Sequence, residues 1–134
     1  MTWALFAAGL ATFAELYTTQ PLLPLLSAHF GVAPGSAALS VSVTTLTLGI
    51  ALLFVGPISE VVGRTKVMMT SLFGASVMAV ACAAAPTWGS LLVLRGLLGF
   101  AVAGLPAVAV AYLREEVAPS AMARATGQYI GGTA

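Results

Sequence analysis

Charge is what this sequence has least of: only 7% of its 134 residues are Asp, Glu, Lys or Arg. An ordinary soluble domain carries roughly 25% charge, because its surface must face water. With 60% apolar residues and a mean hydropathy of +1.04, this chain could not cover itself in water. Cysteine is nearly absent. The single Cys82 excludes an internal disulfide framework, and no Cys/His spacing resembles a metal site. Cys82 sits in an Ala-rich run and reads as a small buried apolar residue. Net charge is +1, and the five Lys and Arg never form a run that could follow a phosphate backbone, so nucleic acid is not indicated as a partner. No nucleophile–base pair or phosphate-cradling loop is visible either, so neither an enzyme nor a bound cofactor is expected.

What is abundant is long apolar runs. A bilayer core of about 30 Å is crossed by a helix of about 20 residues. Four stretches fit, at about 3–26, 37–58, 67–85 and 89–112, and a fifth begins near Ala125 and runs to Ala134. The expected fold is an all-α transmembrane bundle: four helices and the start of a fifth, in a chain that looks incomplete. The connectors are short: HFGVAPG at 29–35, Pro86–Thr87, and VAPS at 117–120, where Ser120 could cap the next helix. Arg64 and Lys66 follow the second span, Arg114 and Arg124 follow the fourth, and the two connections on the opposite side have no Lys or Arg. That asymmetry places 59–66, 113–124 and the N-terminus in the cytoplasm, with Trp3, Trp88 and Tyr112 near span ends as interfacial aromatics.

Small residues recur every four positions in two spans: Gly99, Ala103, Ala107 and Ala111 in the fourth, and Ser71, Ala75, Ala79 and Ala83 in the third. In lipid, smooth faces of this kind let backbones approach closely, so they read first as packing seams. Pro21 and Pro24 near the end of the first span, and Pro106 inside the fourth, each remove a helix hydrogen bond and can bend their helix.

Two ionisable residues lie at membrane depth. Glu15 is about midway along the first span, where a carboxylate costs roughly 2.5–3.5 kcal/mol on insertion scales. It therefore faces a cavity or partner, or is protonated, and Thr12, Thr18 and Thr19 share its face. Arg95 lies about six residues into the fourth span, roughly 9 Å deep by helix rise. A buried arginine stays charged and needs a partner, which predicts that Arg95 and Glu15 approach one another or share a pocket. Arg95 snorkelling to outer headgroups is the alternative. His29 reads as a wet loop residue. Tyr17, Gln20, Gln128 and Tyr129 are polar residues in spans that either line a cavity or hydrogen-bond between helices.

The connection after the second span reads Gly56-Pro57-Ile58-Ser59-Glu60-Val61-Val62-Gly63-Arg64-Thr65-Lys66. Gly56 would allow close helix approach, Gly63 a left-handed turn, Glu60 could accept from exposed helix amides, and Arg64 could donate a bidentate fork. The stretch resembles the signature loop of the major facilitator superfamily, with Glu60 where that family favours Asp, and with Val61 and Thr65 replacing usual basic residues. Arg95-Gly96-Leu97-Leu98-Gly99 resembles the family's fourth-helix arginine motif. The stretch 112–132, with Glu116, Pro119, Arg124 and Gly127, is similar to the following inner loop and fifth helix. QPLLP at Gln20–Pro24 resembles the efflux branch, the drug- and sugar-exporting proton antiporters.

The resemblance implies a twelve-span transporter of which this chain is about a third, working by alternating access between two halves. It implies that Gly56, Glu60, Gly63, Arg64 and Lys66 belong to an inner gate, and that Arg95 supports proton coupling. The expected partners are a small-molecule substrate, the bilayer of a bacterial inner membrane and the missing remainder of the transporter, with a proton gradient as the energy source. A rival expectation is a small four-helix assembly or anchoring subunit, complete as given.

Overall fold

The computed structural model describes residues 2–132, without the side chains of Thr2, Ala4, Leu5, Val110, Glu116 and Pro119. The Glu116 and Pro119 side chains expected in the inner loop, and the last two residues of the span expected over 125–134, lie outside that description. Among the described residues the chain is helical throughout, with no strand. Its elements are α1 (Thr2–Tyr17), α2 (Leu23–Phe30), α3 (Pro34–Ala37), α4 (Leu39–Val62), α5 (Arg64–Ala83), α6 (Trp88–Val102), α7 (Gly104–Glu116), a 3-10 turn (Pro119–Ala121) and α8 (Met122–Gly132).

Among the described residues, three helical segments are long and apolar enough to cross a membrane: Pro34–Val62, Arg64–Ala83 and Trp88–Glu115. The apolar stretch beginning at Trp3 is instead divided. Helix α1 stops at Tyr17, the chain turns through 18–22, and α2 resumes at Leu23 with Pro24 in its first turn. Pro21 and Pro24 lack amide hydrogens, so each removes a bond from the helical ladder at this break. The regular helix of the fourth span is interrupted at Ala103, just before Pro106, where the Ala103 amide bonds the Phe100 carbonyl in a tightened turn.

Local chemistry sets the ends. Gly31 closes α2 in the left-handed region at φ 64°, its amide donating to the Ser27 carbonyl. Thr87 starts α6 with a reciprocal cap: its hydroxyl accepts from the Ser90 amide, and the Ser90 hydroxyl accepts from the Thr87 amide. At the start of α8, Ser120 lies within the 3-10 turn, which the Ala121 amide closes onto the Ala118 carbonyl.

Helix α6 packs on α4 and α5, α7 packs on α5 and α4, and α8 lies along α1. One apolar cluster joins Leu105, Val108, Ala109 and Leu113 of α7 to Val67 and Met68 of α5 and to Ala125 and Tyr129 of α8. A second joins Leu98 and Val102 of α6 to Ala75. Large apolar side chains such as Leu53, Phe73, Val80 and Val93 face outward, which suits a hydrocarbon solvent and not water.

The small-residue faces are seams over part of their length. A Cβ on Gly99 would strike Thr47 Oγ1 and the Thr44 carbonyl and lie 3.1 Å from the Leu48 nitrogen, so only glycine lets α6 meet α4 there. A Cβ on Gly104 would fall 2.6 Å from Ser71 Cβ. Ala103 is buried, while Ala107 and Ala111 are half-buried. On α5, Ser71 and Ala75 are buried, but Ala79 is half-buried and Ala83 exposed.

Candidate functional site

Arg95 stands two turns into α6 and is 2% exposed, the deepest charge among the described residues. The last carbonyls of a helix have no amide above them to bond. At the end of α1 the amides that would serve the Glu15 and Leu16 carbonyls turn away, because the Gln20 amide bonds Tyr17 and the chain then bends. Arg95 fills both places. Its Nη1 donates to the Glu15 carbonyl at 3.0 Å and its Nη2 to the Leu16 carbonyl at 2.9 Å, while Nε donates to the Ser40 carbonyl of α4 at 3.2 Å. A cation at a helix C-terminus also complements the helix dipole. One guanidinium thus ties α1, α4 and α6 together at the point where the first span is broken.

The expectation that Arg95 and Glu15 meet is answered in a specific way. Arg95 holds the main chain of Glu15, and no ion pair joins the two side chains among the described residues. Both line a cavity of about 410 Å³ between α1, α2, α5 and α6. Its polar lining is Glu15, Thr18, Thr19, His29, Cys82 and Arg95, and its apolar walls include Leu22, Leu26, Phe30, Leu91 and Leu98. Thr18 returns its hydroxyl to the Ala14 carbonyl. Thr19 Oγ1 is buried and has no hydrogen-bond partner among the described residues. Cys82 is half-buried on the cavity wall, beside the small Ala79 and Ala83, rather than sealed in a core. His29 is exposed in the last turn of α2, its ring edge-on to Phe30, whose ring faces Trp88 at 5.7 Å.

Tyr17 and Gln128, expected to line a cavity or to bond between helices, do not join this cavity. Tyr17 packs on Phe13 and lines a shallow groove with Ser42, Thr45 and Gly49 of α4, because it lies on another face of α1 from Glu15. Gln128 lines a separate depression with Trp3, Val117 and Arg124, since α8 runs beside the opposite end of α1. Gln20 is exposed and Tyr129 is in the α5–α7–α8 core.

The motif at 56–66 forms the sharp joint between α4 and α5. Gly63 adopts φ 103° and ψ 130°, a region closed to side-chain-bearing residues, so the joint needs glycine. Gly56 does not serve close helix approach: a Cβ there would meet open space among the described residues. Glu60 does not cap α5 either. It is exposed in the last turn of α4, and α5 has no side-chain cap. Lys66 is exposed in the first turn of α5. Arg64 reaches instead to α7, where its Nη2 lies 3.0 Å from Glu115 Oε1. Glu115 was not singled out by sequence. Its signal was the acidic pair ending the fourth span on the side of the chain that carries Arg64.

The sequence profile of the Major Facilitator Superfamily matches residues 5–134. The chain is 46% identical over 132 residues, 98% of its length, to the inner membrane transport protein YnfM of Escherichia coli strain K12. It is 48% identical over 134 residues, its full length, to the uncharacterized MFS-type transporter YybF of Bacillus subtilis strain 168. An uncharacterized transporter of Buchnera aphidicola from Acyrthosiphon pisum is 40% identical over 129 residues, 96% of the chain. The chain spans about a third of the length of these relatives, at 32%, 33% and 32%. No solved structure matches it significantly.

Proposed function

Because this chain belongs to the Major Facilitator Superfamily, and so to a family of integral membrane transporters, we propose that it is the N-terminal part of a proton-coupled exporter of small solutes. The carrier works by alternating access between two halves in the inner membrane, with the N-terminus and the 59–66 and 113–124 connections in the cytoplasm. The observation that supports coupling most is Glu15, a carboxylate on a cavity wall at the break in the first span, with a fixed guanidinium on the same wall.

Arg95 cannot leave without stripping the Glu15 and Leu16 carbonyls of their donor, so it acts as a fixed charge and a pin. Glu15 keeps its carboxylate free of any ion pair among the described residues. Gain or loss of its proton changes the charge balance beside that pin, and with it the relative stability of the outward- and inward-facing arrangements. At the opposite end of the helices, the Arg64–Glu115 pair links the α4–α5 joint to the end of α7, where a cytoplasmic gate belongs. Gly56, Glu60, Gly63 and Lys66 frame that joint.

The test is transport by the intact gene product in proteoliposomes, using a panel of fluorescent drugs and radiolabelled sugars with and without an imposed pH gradient. Export of at least one solute that stops on adding a protonophore is expected. Export indifferent to the gradient removes the coupling, and no export of any panel member removes this substrate range.

A further inference from the structure

Glu15 lines two separate cavities. On one side is the space of about 410 Å³ that contains Thr19, Cys82 and Arg95. On the other is a pocket of about 40 Å³ lined by Thr12, Ser71, Ser76 and apolar neighbours. Building on the reading of Glu15 as the proton-exchanging group, we propose that the crevice between α1 and α5 is a proton passage with Glu15 as its junction. Protons enter from the His29 end past the Thr19 hydroxyl and leave through the pocket at Thr12, Ser71 and Ser76.

The larger space runs from the α2 and α5 ends, at His29, Phe30 and Ala85, to the level of Leu98. On α6 its lining runs from Leu91 to Leu98, about 10 Å by helix rise. At about 30 Å³ per water its volume admits on the order of a dozen waters. Thr19 is 8% exposed, and its hydroxyl oxygen is buried without a partner among the described residues, which calls for a hydrogen-bonding occupant beside it. A buried hydroxyl left without any partner is otherwise destabilising. Water satisfies it and hands protons along.

On the far side the chemistry is different. Thr12 donates to the Ala8 carbonyl, Ser71 to the Ala101 carbonyl and Ser76 to the Leu72 carbonyl, so each hydroxyl keeps only lone pairs for a water. Such a pocket accepts a proton donor coming from Glu15 and holds about one water. The unequal volumes leave Glu15 open toward His29 and nearly closed toward Ser71. The titratable groups on the larger cavity besides Glu15 are Arg95 of α6, Cys82 of α5 and His29 of α2. Helices α4, α7 and α8, which also pack on α1, contribute no described side chain to either lining. The step itself is a proton transfer: an O–H bond breaks on a hydrated proton in the larger cavity and one forms on a Glu15 carboxylate oxygen, with the reverse on the other side.

The test needs no transported solute. The full-length protein, with any cysteine other than Cys82 replaced, is placed in lipid nanodiscs and its carboxyl infrared band is followed after an acid jump. A band lost in Glu15→Gln identifies the Glu15 proton. Modification of Cys82 with a neutral methanethiosulfonate should slow the rise of that band about tenfold, a barrier increase of about 1.4 kcal/mol, and leave its final height unchanged. Cys82→Ala should be insensitive to the reagent. Thr19→Val should slow the rise about fivefold, the kinetic equivalent of one lost hydrogen bond, and Thr19→Ser should restore it. A Cys82 that does not react, or an adduct that leaves the rate unaltered, overturns the passage while leaving Glu15 as the proton site. Absence of any band that depends on Glu15 overturns the reading on which the passage rests.

Discussion

Arg95 uses its charge on peptide carbonyls rather than on a carboxylate, and this decides what its replacement does. Lysine keeps the charge but has no planar fork to serve the Glu15, Leu16 and Ser40 carbonyls together. Arg95→Lys should therefore lose about 1–3 kcal/mol of stability, read as a lower unfolding temperature of the intact protein in detergent. Arg95→Ala should lose more. Equal melting of Arg95→Lys and the unaltered protein would remove the pinning role. Glycine offers a paired comparison at the same scale. Gly99→Ala forces a methyl into Thr47 and the Thr44 carbonyl and should cost about 1–3 kcal/mol, while Gly56→Ala enters open space and should melt within about 0.5 kcal/mol of the parent. That Glu15 and Arg95 share a pocket was legible in the sequence, because charge in an apolar run is conspicuous. Their mode of contact was not. It depends on which carbonyls the break at 18–22 leaves open, and two prolines announce a break without saying where the chain goes next.

At the scale of elements, the Arg64–Glu115 contact is the link between the α4–α5 joint and α7. Both side chains are partly exposed, at 22% and 57%, so the pair alone is worth about 0.2–1 kcal/mol and weakens with salt. A double-mutant cycle of Arg64→Ala and Glu115→Ala, read by thermal unfolding in low and high salt, should give a coupling inside that range that shrinks as salt rises. A coupling of zero at low salt would mean the contact does not hold the joint. The sequence located this joint correctly and supplied the reason for Gly63, but it assigned Glu60 a capping task. A helix that continues through Pro57 to Val62 carries Glu60 to an exposed last turn, and such a continuation is a property of the whole helix rather than of the motif. The small-residue faces show the same division. Periodicity marked Ser71, Ala75, Ala79 and Ala83 as equivalent, yet only the first two are covered by a neighbouring helix. Where a stripe becomes a cavity wall is fixed by helix crossing, to which a repeat of four is blind.

Across the whole molecule, the apolar composition announced a helical membrane bundle because nothing else could bury so little charge. The direction of that bundle rests on Arg64, Lys66, Arg114 and Arg124 at one end against none at the other. A cysteine placed at Thr65 in a Cys82→Ala background of the intact protein should resist a membrane-impermeant maleimide in whole cells and react in everted vesicles. Labelling in whole cells would invert the topology and with it the route drawn for the proton. The central claim, that Glu15 beside the Arg95 pin couples the proton gradient to movement of solute, is tested most directly by gradient-driven flux in proteoliposomes carrying the full-length protein or its Glu15→Gln variant. The account predicts that a pH gradient accelerates flux in the former and has no effect on the latter. The same acceleration in both would contradict it.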